Sequence, residues 1–277
     1  MVLKLEHILG SKNSISVLRF LTQKPNRAFG LTDLSQELNI SKSNLIRVLR
    51  PLTQEKLVIE LQSGRKKTVQ INGEQRLIET LWKLFMQEKQ MNLSSEYKNI
   101  IDLFFQKHQD EIEVFILFGS VSRGLAKKDS DIDLLIIGDK KLSGPILELP
   151  YRFELHNYTW KELEEKTDFV VLDCLINGIV YKGKVFKIIK ELNAFPKSYL
   201  IYRLNKCKEY LTKSKSLKGE SKKYFLNLAK VTLGEIKSIL RNKKTIPKQN
   251  LKSEATFKNI AEIEQELAKE GENLWLI

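Results

Sequence analysis

The sequence predicts an α/β (α+β) fold: a small mixed sheet flanked on both sides by helical segments. Three observations predict it. Two short apolar runs, residues 113–118 and 132–137, have the length and composition of buried strands. Ahead of them, residues 11–112 carry apolar positions mostly at helical spacing, broken by one strand–turn–strand pattern. After residue 196, apolar residues again recur at helical spacing to near the end of the chain.

In chain order, Ile15, Val17, Leu18 and Leu21 form one apolar helix face, which Pro25 terminates. A second helix starts near Thr32 and carries Leu34 and Leu38. Ser41 caps a third, with Leu45, Ile46, Leu49 and Leu52. Pro51 falls inside it and is expected to bend or shorten it. Residues 57–61 and 68–71 read as two strands around the turn 62–67. Two further stripes are helical: Leu77, Ile78, Leu81, Leu84 and Phe85, then Ile100, Ile101, Phe104 and Phe105. The break at 92–95 marks a boundary between the N-terminal part and the rest of the chain.

Composition narrows the class. The chain has 277 residues, 42% hydrophobic and 29% charged, enough for two or three domains. Its formal net charge of +13 favours polyanionic partners such as nucleic acid or a phosphate-rich ligand. Cys174 and Cys207 stand in no paired motif, which argues against a disulfide framework or structural zinc and fits a reducing compartment. The first ten residues lack the apolar stretch of a signal peptide, and no run reaches the roughly 18 apolar residues of a membrane span. A cytoplasmic protein without membrane association is expected.

The chemistry concentrates at the two apolar strands. The first runs directly into Gly119-Ser120. A strand that turns through Gly-Ser into a helix presents backbone N–H groups to an anion, and Gly119 allows close approach. The Ser120 hydroxyl adds a donor, and the planar Arg123 guanidinium suits phosphate oxygens. Eleven positions after Ser120, Asp131-Ile132-Asp133 opens the second strand. The strand period of two puts Asp131 and Asp133 on one face, where their charges repel unless a cation lies between them. A lone Asp-x-Asp is weak; the same pair after a Gly-Ser turn at this spacing is specific.

The text Phe118-Gly119-Ser120-Val121-Ser122-Arg123-Gly124 with Ser130-Asp131-Ile132-Asp133-Leu134 resembles the DNA polymerase beta-like nucleotidyltransferase superfamily, in its small archaeal and bacterial type. The resemblance covers about residues 95–192, whose end carries the text Asn177-Gly178-Ile179-Val180-Tyr181-Lys182-Gly183. It implies a mixed-sheet core in which Gly119, Ser120 and Arg123 hold a nucleoside triphosphate, with ATP the expected one. It also implies that Asp131 and Asp133 hold two Mg²⁺ ions and that a third acid comes from the next strand. Glu154, on the strand candidate 151–158, is at the position resembling that acid; Glu148 is the alternative, and His156 shares the face of Glu154. Residues 138–150 depart from the family pattern, because Gly144-Pro145 breaks the long helix that many members place there. The site is then more open on that side, or a partner closes it.

Residues 11–72 resemble a winged helix-turn-helix of transcription regulators. That resemblance implies a nucleic-acid partner, DNA before RNA, with Lys42, Ser43, Asn44, Arg47 and Arg50 facing the groove and Arg65, Lys66 and Lys67 touching phosphates. The expected organisation is a winged helix-turn-helix domain at 1–75, a helical linker at 76–94, the nucleotidyltransferase domain at 95–192 and a C-terminal helical domain at 193–277. The last has lysine-rich polar faces, including Lys206, Lys208, Lys213, Lys215, Lys218, Lys222 and Lys223. It weakly resembles the HEPN-type helical domains that accompany small nucleotidyltransferases. His7, His108 and His156 all lie elsewhere, so a ribonuclease function of that type is not supported.

Together these imply an Mg²⁺-dependent transfer of a nucleoside monophosphate from a triphosphate to an acceptor hydroxyl. The alternative is a DNA-binding regulator that senses nucleotide without turning it over. A homodimer and a protein acceptor are both compatible with the sequence.

Overall fold

The computed structural model describes residues 9–63, 66–126, 130–138, 141–142, 152–165, 168–192, 194–240, 255–268 and 275–276. The chain forms two compact units, Met1–Glu191 and Leu192–Ile277.

The first unit begins with α1 (Lys12–Thr22), which Ser11 caps by accepting from the Ser14 N–H. A two-residue strand β1 (Phe29–Gly30), not expected from the sequence, leads into α2 (Leu31–Leu38). Asn39, at φ 52°, supplies the left-handed stop of α2. Ser41 caps α3 (Lys42–Gln54). The helix continues past Pro51 for three more residues, so the proline does not cut it short there. Strands β2 (Val58–Ser63) and β3 (Lys66–Ile71) pair antiparallel, and β1 adds to β3, giving the order β1-β3-β2. Leu18, Leu21, Leu34, Leu45, Leu52, Val58 and Ile71 are buried around this three-helix, three-strand segment.

Helix α4 (Arg76–Met91) joins this segment to the rest of the unit. Arg19 on α1 grips Glu88 with two nitrogens, at 2.6 and 2.7 Å. From the next residue but one, the Gln90 amide donates to the Val180 carbonyl at 2.8 Å. Helix α5 (Ser95–His108) comes next.

The second sheet has four strands: β4 (Ile112–Phe118), β5 (Ile132–Gly138), β6 (Phe153–Asn157) and β7 (Ile179–Lys182). Their order is β6-β5-β4-β7, with β5 and β6 parallel and the other pairs antiparallel. This is the mixed sheet expected from the sequence. Central strands are buried on both faces, which explains why β4 and β5 are nearly continuous apolar runs. Tyr97, Ile101 and Phe104 of α5 pack with Phe115, Leu117, Leu134 and Ile136. Between the strands lie α6 (Gly119–Ser122), α7 (Trp160–Glu165) and α8 (Phe169–Asn177), and α9 (Phe186–Lys190) comes after β7. Thr159 and Glu162 form a reciprocal capping box at the start of α7.

The second unit contains α10 (Lys197–Lys215), α11 (Gly219–Leu240) and α12 (Phe257–Ala268). A short ribbon pairs β8 (Ala194–Phe195) with β9 (Trp275–Leu276). Leu200, Leu204, Cys207, Ala229, Leu233, Ile236, Ile260, Ile263 and Leu267 make its core. The lysine-rich face is partly compensated by acids: Lys206 and Lys213 both bind Glu209, Lys208 binds Glu264 and Lys223 binds Glu220. Among the described residues, no helix is long and apolar enough to cross a membrane.

Candidate active site

The site is assembled at one edge of the second sheet. Strand β4 ends at Phe118, still extended, and Gly119 then takes φ +72°, a left-handed conformation that glycine adopts without steric cost. The chain turns into α6, a single turn, and a second left-handed glycine, Gly124 at φ +65°, ends it. The Ser122 hydroxyl donates to the Gly119 carbonyl and the Leu125 N–H to the Ser120 carbonyl, tying the turn to itself.

Strand β5 delivers the carboxylates. Asp131 lies one residue ahead of the strand, and Asp133 is inside it, opposite Phe118 on β4. A Cβ added to Gly119 would fall 1.8 Å from an Asp133 carboxylate oxygen. The Asp133 carboxylate therefore lies directly over the turn, in space that only glycine leaves open. Parallel pairing puts Asp133 in register with Glu154, so their side chains meet on one face. Glu148, the alternative, lies outside the described residues.

Electrostatics mark Asp133 as the strained member. Burial, then the Glu154 and Asp131 charges, push its carboxyl up from 3.8 to about 7, against the pull of Arg123. A neighbouring cation would reverse this. The fit is geometric as well. Ligand atoms of Asp133, Glu154 and His156 lie within 4.8 Å of one another, a spread that one ion can bridge. His156 sits 3.5 Å from Glu154, with its ring edge-on to Phe118 at 5.2 Å between centroids. The period of two in β6 puts His156 beside Glu154; its closeness to Asp133 needs the parallel register, which no local pattern encodes.

Arg123, expected to contact phosphate, is paired with a carboxylate on α8. One of its terminal nitrogens lies 2.5 and 2.6 Å from the two Asp173 carboxylate oxygens, and both side chains are only 14% exposed. Asn177 donates to the same carboxylate at 3.1 Å. Nothing in the sequence singles out Asp173, because it sits within the apolar run of α8 and its partner lies 50 positions away. The guanidinium thus clamps α6 to α8.

The expected nucleic-acid residues separate from this site in sequence and in structure. On α3, Lys42, Ser43, Asn44, Arg47 and Arg50 are all exposed, while Leu45 and Leu49 face the core. Lys67 pairs with Glu60 across the β2–β3 hairpin. Arg65 and the Lys66 side chain lie outside the described residues.

Residues 98–192 match the family model described as polymerase beta, nucleotidyltransferase, a stretch that runs from within α5 through α9 and includes Asp131, Asp133 and Glu154. Two relatives come from Methanocaldococcus jannaschii, both provisionally named as protein adenylyltransferases. The first is 33% identical over 129 residues, 42% of this chain and 82% of the relative. The second is 41% identical over 49 residues, 18% of this chain and 49% of that relative. With the Gly-Ser turn, the carboxylates on β5 and β6 and a relative covered over most of its length, the chain belongs to the polymerase beta nucleotidyltransferase family.

Proposed function

We propose that this protein transfers a nucleoside monophosphate, AMP in the first instance, from a triphosphate to an acceptor hydroxyl and releases pyrophosphate. The single observation that carries this reading is the seating of Asp133 over Gly119, in register with Glu154. An acidic group beside an anion-binding turn is what a metal-bound triphosphate requires.

In this reading the Gly119 and Ser120 backbone and the Ser120 hydroxyl hold the β- and γ-phosphates. Asp131, Asp133 and Glu154 hold divalent ions, Mg²⁺ being the expected kind. Bound there, the ions neutralise the phosphates and stabilise charge as the acceptor oxygen attacks. The acceptor oxygen forms a bond to the α-phosphorus, the bond from that phosphorus to the bridging oxygen breaks, and pyrophosphate leaves. Glu154, the most exposed of the acids, either completes that metal site or takes the acceptor proton. Arg123 acts by holding α6 through Asp173.

The relatives' names support ATP as the nucleotide and a protein as the acceptor. The exposed polar face of α3 supports a second role for residues 1–75, docking on duplex DNA. The test is incubation with each α-labelled triphosphate and Mg²⁺, with and without cell protein and nucleic acid. Label moving from ATP to protein supports the reading in full. Nucleotide-dependent DNA affinity without pyrophosphate release supports a sensing regulator instead.

A further inference from the structure

Behind α6 lies a cavity of about 400 Å³, within the size range of small-molecule sites. Lys89, Ser94, Tyr97, Ser122, Gly124 and Ile179 contribute to its walls, together with the Arg123 already held by Asp173. Gly119, Ser120, Asp133 and Glu154 do not line it, so it is separate from the catalytic carboxylates.

Lys89 is the unusual group. It occupies the last turn of α4, where the helix dipole favours a cation. That accounts for a lysine at this position but not for its removal from water. Burial holds its ammonium below the usual lysine range, and burial is the one cause acting. Among the described residues, no carboxylate is placed against it. The neighbouring Glu88 is committed to Arg19. Withdrawing an ammonium from water without a counter-charge is costly, and such groups concentrate at functional sites. Two hydroxyls share the cavity. Ser94 precedes α5 without making a side-chain cap bond, so its hydroxyl is not spent on the helix. Ser122 carries the second, whose proton is committed to the Gly119 carbonyl. Tyr97 and Ile179 add buried apolar surface. A cation, hydroxyls and apolar walls in one small cavity suit an organic molecule that carries an oxyanion at one end.

We propose that this cavity binds the oxyanion group of a small organic anion, with Lys89 as its counter-charge and Ser94 as its hydroxyl donor. Because α6 forms one wall, an occupant would brace the turn that carries Gly119 and Ser120. The site is a second one and does not depend on the transferase reading.

Two probes test it: inorganic phosphate and benzoate, each titrated into the full chain without divalent ions. The readouts are the amide resonances of Ser94 and Gly124 and the thermal midpoint. A shift with either probe is expected, and the probe that binds more tightly identifies the oxyanion as phosphate or carboxylate. The shift must persist in the Asp131→Ala/Asp133→Ala double variant, which separates this site from the active site. Lys89→Met and Lys89→Gln should each weaken binding by about tenfold or more, the loss expected for a charged hydrogen bond. Lys89→Arg should retain it. The proposal is overturned if neither probe shifts these amides at up to about 20 mM, where millimolar affinity would be visible. Binding that is equal in the wild type, Lys89→Met and Lys89→Gln overturns it as well.

Discussion

A Cβ on Gly119 would stand 1.8 Å from an Asp133 carboxylate oxygen, so the turn and the acid exclude any larger residue between them. At φ +72° an alanine is also conformationally strained. Gly119→Ala should therefore displace Asp133 while leaving the buried strands intact. Transfer should fall by about a hundredfold or more, as expected for ångström-scale misplacement of reacting groups. Steady-state kinetics beside far-UV circular dichroism checks this. An active Gly119→Ala enzyme would contradict the geometry.

Asp133 sets a pH dependence in the metal-free protein. Its folded-state value is raised from 3.8 to about 7, so the folded chain keeps this proton over a range where the unfolded chain has lost it. The stabilisation is full below pH 3.8, is lost as pH rises towards 7 and is flat beyond. Its size is on the order of 2–4 kcal/mol, upper-bounded by the coupling with Glu154. Asp133→Asn should flatten this slope in thermal melts between about pH 4 and 7. Divalent ions should raise the midpoint at pH 7.5 in the wild type and much less in the variant.

Glu154 meets Asp133 through strand register, not through a local motif. Glu154→Gln keeps the size and removes the charge. Divalent affinity, read by isothermal titration, should drop at least about tenfold, with turnover falling in parallel. His156→Gln should lower affinity for Mn²⁺ more than for Mg²⁺, because imidazole favours transition ions. Unchanged Mg²⁺ and Mn²⁺ affinity in both variants would remove these residues from the site.

The Arg123–Asp173 pair is buried and asymmetric in its consequences. Asp173→Asn leaves a guanidinium without its carboxylate and should destabilise the first unit by about 3 kcal/mol. Replacing both partners, Arg123→Met with Asp173→Leu, should recover much of that loss in urea melts. If Asp173→Asn is neutral, the clamp between α6 and α8 is not structural.

The exposed α3 residues make a separate prediction. Replacing Lys42, Arg47 and Arg50 with alanine should reduce affinity for duplex DNA and flatten its salt dependence. Alanine at Lys66 or Lys67, expected at phosphates, should lower the slope of log affinity against log salt by about one each. Fluorescence anisotropy across a salt series measures both. An unchanged slope would assign this face to another partner.

The features legible in the sequence are those with a local period or turn signature. Strands β4 and β5, the Gly119-Ser120 turn and the carboxylates were legible because buried strands and a φ-positive turn leave such signatures. Strand β1 was not, since two residues carry no period. Long-range pairings were equally hidden. The pairing of Arg123 with Asp173, on another helix, leaves no local signature. Helix α3 runs through Pro51 because Leu45, Leu49 and Leu52 are buried on its core face, and packing there outweighs the proline's cost.

The most direct test is pyrophosphate release. The full chain with α-labelled ATP and Mg²⁺ should release pyrophosphate and transfer label to an acceptor supplied by cell protein, while the Asp131→Ala/Asp133→Ala double variant should do neither. Equal release and transfer by that variant and the wild type would show that Asp131 and Asp133 are not the seat of catalysis.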